Sequence, residues 1–363
     1  MRGEVDPQSS MFHYFSVESR IPAEHPLRRV KKLAETALSA ISGELDGLYA
    51  RTGRPSIPPE RLLKAQLLIA LYSVRSDRLF CEQLDYNLLF RWFLDLNLES
   101  GGLDQSNFSR LRERLVETDI ARRFFDEVVR LARRDKLLSS DHFTVDGTLI
   151  DAWASFKSFK RKNDDEPPKP GDGTGMVDFK GEKRSNATHQ STTDPEAKLM
   201  RKGTGQPARL SYGGHALMEN RSGLCVDLLI TDATLAEHKA ARQLLTRARR
   251  RRIHPKTLGA DKGYHVKDFV QHLREHNIRP HIARIDGRTT PGLDGRTTRT
   301  EGYKISQRKR KRVEEIFGWL KTVGGMRKTR FIGQAKTQIA AYLSAAAYNL
   351  LRIAKLQSAG SAA

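Results

Sequence analysis

Cysteine is almost absent: the chain holds two, Cys81 and Cys225, far apart and outside any paired motif. That excludes a disulfide framework and a zinc site built on cysteines. No apolar run approaches the ~20 residues that span a bilayer, so no membrane partner is expected. The N-terminus lacks the apolar core of a secretory signal. No GxxxxGK(S/T) loop occurs, so ATP is not implied. Acid is the scarcer charge: 43 Asp and Glu stand against 64 Lys and Arg, a formal net charge of +21. Such an excess says little about fold, but it favours polyanionic partners. These features suit a cytosolic protein that meets nucleic acid.

What is present has two textures. The 363 residues, 38% of them hydrophobic, suffice for a real core and suggest two domains, or one with a large appendage. Residues 26–137 read as helical. Pro58 and Pro59 stand where a helix can begin, and the apolar run Leu62 to Leu71 follows. Ser106 is read as an N-cap, with Arg110, Arg112 and Arg114 after it. This region reads equally as a helix-turn-helix type DNA-binding unit and as a plain helical bundle. From 140 the pattern changes. His142 to Ile150 alternates and is rich in β-formers, so it is a strand. Residues 155–210 are polar, mixed in charge and weakly patterned, with Lys157, Lys160, Arg161, Lys162, Lys183 and Arg184 among them; they read as a long loop. Strands follow at 210–218 and 224–231, then a helix at 237–251, a short strand at 257–261, a helix at 266–276 and a strand at 279–283. Helices at 306–322 and 337–356 close the chain. The expected architecture is α+β: an all-helical N-terminal domain (1–139), then a mixed sheet with flanking helices (140–357), then a flexible tail (358–363). Hairpin-linked strands followed by strands alternating with helices is the element order of a ribonuclease-H-like fold.

Phosphoryl transfer on DNA needs a group that activates water or a 3′-hydroxyl and another that stabilises the leaving oxygen. Two divalent metals ~3.5–4 Å apart do both. Mg²⁺ takes hard oxygen ligands, so a few carboxylates suffice. Asp146 stands inside the first strand, between Val145 and Gly147, where a carboxylate is costly unless paired or bound to metal. The bland reading is a strand-end aspartate, and Asp151 competes with it. Asp261 ends a second strand, where ligands gather in open α/β sheets; the bland reading is a turn or cap residue. On a helix over 306–322, Val313, Ile316, Phe317 and Leu320 form the buried stripe. Glu314 then falls at the edge of that stripe, on a row with Arg310 and Lys321, and Glu315 points to solvent.

These residues carry a resemblance. Val-Asp-Gly-Thr at 145–148, Ala-Asp-Lys-Gly-Tyr at 260–264 and the spacing Arg310, Glu314, Lys321 resemble the DDE transposases of bacterial insertion sequences. The likeness is closest to the insertion-sequence family five group. Arg54 to Leu63, Ser185 to Glu196 and Tyr212-Gly-Gly-His-Ala also resemble that group, so nearly the whole chain is covered. The resemblance implies that Asp146, Asp261 and Glu314 are the catalytic, metal-binding triad, using two Mg²⁺ ions or Mn²⁺ in their place. It implies that Arg310 and Lys321 contact DNA phosphate. The implied partners are double-stranded DNA, as terminal inverted repeats and target, and a second copy of the chain on that DNA. The implied setting is the bacterial cytoplasm, at the nucleoid. Many relatives carry Tyr three residues before the arginine; this chain has Gln307 there and Tyr303 one turn earlier.

Further residues have two readings each. Arg308 to Arg312 are five consecutive basic positions, denser than a helix end needs, and Arg308 and Arg312 read as DNA-facing. Arg249 and Arg250 suit either a helix dipole or phosphate. Lys262, beside Asp261, joins the DNA-facing cations. Trp153 fits either a displaced base or ordinary packing. His272 and His276 have zinc spacing, but no HExxH pattern and no nearby cysteine support it. His265 and His281 read as polar or DNA-facing. The rival functions are a nuclease that cuts without joining, a non-catalytic DNA-binding repressor and an RNA-binding protein.

Overall fold

A computed structural model describes residues 16–47, 56–115, 118–162, 184–203 and 205–361. Arg54, Pro55, Lys183 and the last two residues of the expected tail lie outside the described residues. Helices come first: α1 (Val17–Arg20), α2 (Leu27–Ser39), α3 (Ser42–Asp46), α4 (Pro59–Leu71), α5 (Asp77–Tyr86), α6 (Leu88–Phe93), α7 (Gln105–Arg114) and α8 (Ile120–Arg134). Pro59 opens α4, where its missing N–H costs nothing. The cap of α7 is Asp104 rather than Ser106: its carboxylate accepts the Asn107 N–H at 2.8 Å.

The second half begins with β1 (His142–Asp151), β2 (Phe159–Arg161), β3 (His189–Ser191), β4 (Lys198–Met200), β5 (Arg209–Glu219) and β6 (Leu224–Asp232). It continues with α9 (Glu237–Arg250), β7 (Thr257–Ala260), α10 (Lys267–Glu275), β8 (Arg279–Ile282), α11 (Gly295–Thr298), α12 (Glu301–Lys309), α13 (Val313–Thr322) and α14 (Gln334–Ser361). β5 runs antiparallel to β1 on one edge; on the other it pairs with β6 through Tyr212–Glu219 and with β4 through Arg209–Ser211. β7 is parallel to β1, and β8 to β7. The resulting order β6-β5-β1-β7-β8 is that of the ribonuclease-H-like fold.

Within 155–210, the described residues 155–162, 184–203 and 205–210 include short strands where a loop is expected. β2 pairs with β3, and β4 extends the sheet beside β5. These strands are three residues long, too short for an alternation to register. The tail is helical rather than irregular as far as Ser361.

α14 joins the two halves. It packs against α2, α4 and α8 on one side and against β6 and α13 on the other. Its small buried residues, Ala341, Ala345, Ala346 and Ala347, allow close approach. β6 is an outer strand whose unpaired backbone needs partners. Asn349 supplies them, accepting from Cys225 N at 2.9 Å and donating to Cys225 O at 2.8 Å. Gln338 does the same for Ile230 N, at 2.7 Å, and Leu228 O, at 2.9 Å.

Candidate active site

Strand register brings two carboxylates together. β1 and β7 are parallel, with Thr144 opposite Gly259. Two residues further on stand Asp146, within β1, and Asp261, just past the end of β7, so the register carried forward sets them side by side on adjacent backbones, which run ~4.8 Å apart within a sheet. β7 ends at Ala260, which leaves the edge of β1 unpaired from there to the bridge between Asp151 and Lys328.

The same face receives the third acid. Gly259 makes room for the helices above it: a Cβ there would lie 3.2 Å from Ser306 Oγ and 3.3 Å from Arg310 Cβ. The expected single helix over 306–322 is instead α12, a 3₁₀ turn at Arg310–Arg312, and α13. The buried stripe Val313, Ile316, Phe317 and Leu320 is unchanged, because it lies wholly within α13. Glu314 is the second residue of this helix and Lys321 sits two turns on, where its Nζ donates to Thr148 Oγ1 at 2.6 Å. Thr148 and Asp146 lie on one face of β1, so α13 runs along that face with Glu314 at the Asp146 end. Glu315 does not simply point to solvent: Arg312 and Arg352 each approach it at 3.4 Å.

Electrostatics report the same proximity. Burial pushes the Asp146 carboxyl up to about 6; the Gly147 N–H opposes this, nearby Asp261 raises it further, Arg310 opposes, and Glu314 adds to the rise. The Gly147 bond is 2.8 Å. Asp261 spends one oxygen on a cap, accepting the Gly263 N–H at 2.8 Å, which leaves its other oxygen for a ligand. All the donors are carboxylate oxygens, half-buried at Asp146 and Asp261 and exposed at Glu314, a set that fits a hard divalent cation. Asp151 is diverted to Arg209 Nη1, 2.7 Å away.

One acid at this site escaped the sequence reading. Glu237 is the first residue of α9, and burial pushes it up to about 7, with Asp261 and Asp146 adding to the rise. An acid opening a helix reads as a dipole partner. The available signal was its place directly after β6, with Gly147 and Gly263 elsewhere in the chain.

The cations divide. Gln307 accepts from Arg310 Nε at 3.1 Å and donates to the His281 carbonyl, so it orients the arginine. Tyr303 is tied to Ile282 O at 2.9 Å. Arg308 is exposed. Arg312 is committed to the fold, donating to Asn220 O at 2.7 Å and Arg221 O at 2.8 Å. Arg249 and Arg250 are exposed but sit at the far end of α9, about 18 Å from Glu237 by helical rise. Lys262 is exposed, 3.9 Å from Asp286. Trp153 is 52% exposed, with Lys328 over its ring at 5.5 Å. It borders a cleft of about 230 Å³ lined by α4, α7, the segment 330–332 and α14. His265 and His281 are buried rather than DNA-facing. Among the described residues, the group of three His or acid side chains whose ligand atoms all lie within 4.8 Å is His272, Glu275 and His276, at the C-terminal end of α10; the carboxylates around Asp146 are more widely spread.

Residues 15–114 match a family model described as a transposase domain (DUF772), and residues 178–350 match the transposase DDE domain. Together the two span well over half of the chain, which belongs to the DDE transposases and is a DNA transposase. The second match includes Asp261 and Glu314 and begins beyond Asp146. Enzymes of this family depend on divalent metal. No curated protein matches the chain. Among solved structures, a piggyBac transposase synaptic complex with hairpin DNA is 11% identical with a TM-score of 0.40, covering 92% of this chain and 76% of that one. A pre-cleavage Mos1 transpososome is 11% identical with a TM-score of 0.21, covering 84% and 82%. Scores this low establish no shared fold, so the strand order itself carries the fold assignment. Among the described residues no helix is long and apolar enough to cross a membrane.

Proposed function

We propose that Asp146, Asp261 and Glu314 are the catalytic triad, holding two Mg²⁺ ions, or Mn²⁺ in their place, for cleavage of element ends and strand transfer. The observation that carries this is the β1–β7 register with α13 laid along the same face of β1. When bound, the metal supplies activation of a water or 3′-hydroxyl and stabilises the leaving oxygen. Arg310, held by Gln307, and Lys321, held by Thr148, neutralise the phosphate beside the acids. Arg308, Lys262, Arg249 and Arg250 extend the contact along the DNA backbone, and Trp153 offers a face to a base. The N-terminal region, residues 1–139, recognises the terminal inverted repeats. Two ends are handled together, so the working unit is a homodimer on DNA. The sequence motifs support the insertion-sequence family five group, and those motifs with the net charge of +21 support action at the bacterial nucleoid.

Cleavage and joining of a labelled element end test the triad. Asp146→Asn, Asp261→Asn and Glu314→Gln each lose both steps by about a hundredfold or more while keeping DNA binding, and Glu315→Gln stays active. Activity in all three acid variants would place the metal elsewhere. An inactive Glu315→Gln beside an active Glu314→Gln would move the third ligand by one residue.

A further inference from the structure

Glu237 reaches the acids from the opposite face of the sheet. On β1, Thr144, Asp146 and Thr148 face α13, so Gly147 faces the other way, toward α9. A Cβ at Gly147 would lie 2.6 Å from Glu237 Oε1, so no side chain fits there without moving this carboxylate. A Cβ at Gly263 would lie 3.6 Å from Glu237 Oε2 and 3.1 Å from Asp261 Oδ1. The Glu237 carboxylate therefore occupies a gap left by two glycines and comes out beside Asp261, at the open edge where β7 stops.

Among the described residues no cation pairs with it. Glu237 is half-buried and makes no hydrogen bond or ion pair with any described residue. The charges that bear on it are those of Asp261 and Asp146. A partly desolvated carboxylate among carboxylates is costly unless a cation joins it.

Two buried polar atoms at the same place also lack partners. His215 is 2% exposed. Its Nε2 meets Thr231 Oγ1 at 3.0 Å, but its Nδ1 has no partner and lies 3.2 Å from the Gly147 Cβ position. The Tyr264 hydroxyl is fully buried and unpartnered, within the field of Glu237, Asp146 and Asp261. Carboxylates on one side and unused polar atoms on the other describe a site built for a cation and its water.

We propose that Glu237 is a fourth carboxylate of the metal site, giving an oxygen, directly or through a water, to the cation held by Asp146 and Asp261. This rests on reading those two residues as metal ligands. It differs from the triad in that its ligand arrives through the sheet, by way of Gly147, instead of along α13.

The test is Mn²⁺ titration calorimetry on the full chain, with melting temperatures in EDTA and in Mn²⁺. Glu237→Gln binds Mn²⁺ at least about tenfold more weakly than wild type. It melts higher than wild type in EDTA, because a repulsion is gone, and gains less on adding Mn²⁺. Gly147→Ala keeps the carboxylate but displaces it, and shows the same loss of affinity; it decides the matter if Glu237→Gln does not fold. Wild-type affinity in both variants, while Asp146→Asn and Asp261→Asn lose it, would overturn the role of Glu237 alone. Wild-type affinity in all four would overturn the metal site as well.

Discussion

Single atoms decide what each side chain at the site can do. Arg310 and Arg312 are two residues apart in one basic run, yet the first is oriented beside the acids and the second is bound to backbone carbonyls. Buried histidines were equally unreadable from their neighbours. His281 packs against His142 and Tyr303, with Arg274 and Arg279 near, and neither ring nitrogen has a partner. Burial pulls its pKa down from 6.5 to about 4, with His142 and the arginines adding to the fall. Below 6.5 the unfolded chain takes a proton that the folded one refuses, so this residue removes stability as pH falls from 6.5 toward 4. Replacing His281 with Phe should flatten that part of the stability curve, measured by urea midpoints across the range; an unchanged slope would contradict it. Asp146 and Asp261 were legible because a carboxylate in a strand of β-formers, or at a strand end before glycine, has few inexpensive explanations. Glu237 was not, since its meaning depends on glycines 90 residues before it and 26 after it in the chain.

Elements were legible where their period was long. β1, β5, β6 and α9 fall within a residue or two of their expected bounds, because each carries a full alternation or an apolar stripe. The three-residue strands and the 3₁₀ break before α13 were not, since so few residues show no period. Nor does periodicity reveal which strand edge a helix covers. Asn349 and Gln338 are polar residues on a mostly apolar helix, and their purpose is visible only against β6. Asn349→Leu keeps the branched shape but strands the Cys225 N–H and carbonyl in a buried setting. It should lower unfolding free energy by about 2 kcal/mol or more, read from urea denaturation. A change under ~0.5 kcal/mol, ordinary for a surface site, would show that water already serves this edge.

At the scale of the molecule, sequence texture divides the chain near residue 139, while packing does not. The buried hydrophobic residues of both halves form one cluster. Arg251 ties the halves again, meeting Asp126 on α8 at 2.5 Å and Asp227 on β6 at 2.9 Å. A fragment of residues 140–363 would expose the side of α14 that now faces α2, α4 and α8. It should lose cooperative thermal unfolding, and a sharp calorimetric transition would contradict that expectation. The shared core also gives the helical half a fixed place relative to the acids, as a protein that binds and cuts the same DNA end requires.

The central claim is that Asp146, Asp261 and Glu314 together hold the metal ions of one site. A change of ligand softness tests it most directly: Asp146→Cys, Asp261→Cys and Glu314→Cys are assayed for strand transfer in Mg²⁺ and in Mn²⁺. The account predicts that joining fails in Mg²⁺ and returns in part with Mn²⁺, which accepts a thiolate more readily. Equal activity in the two metals, or failure in Mg²⁺ that Mn²⁺ never relieves at any of the three positions, would contradict it.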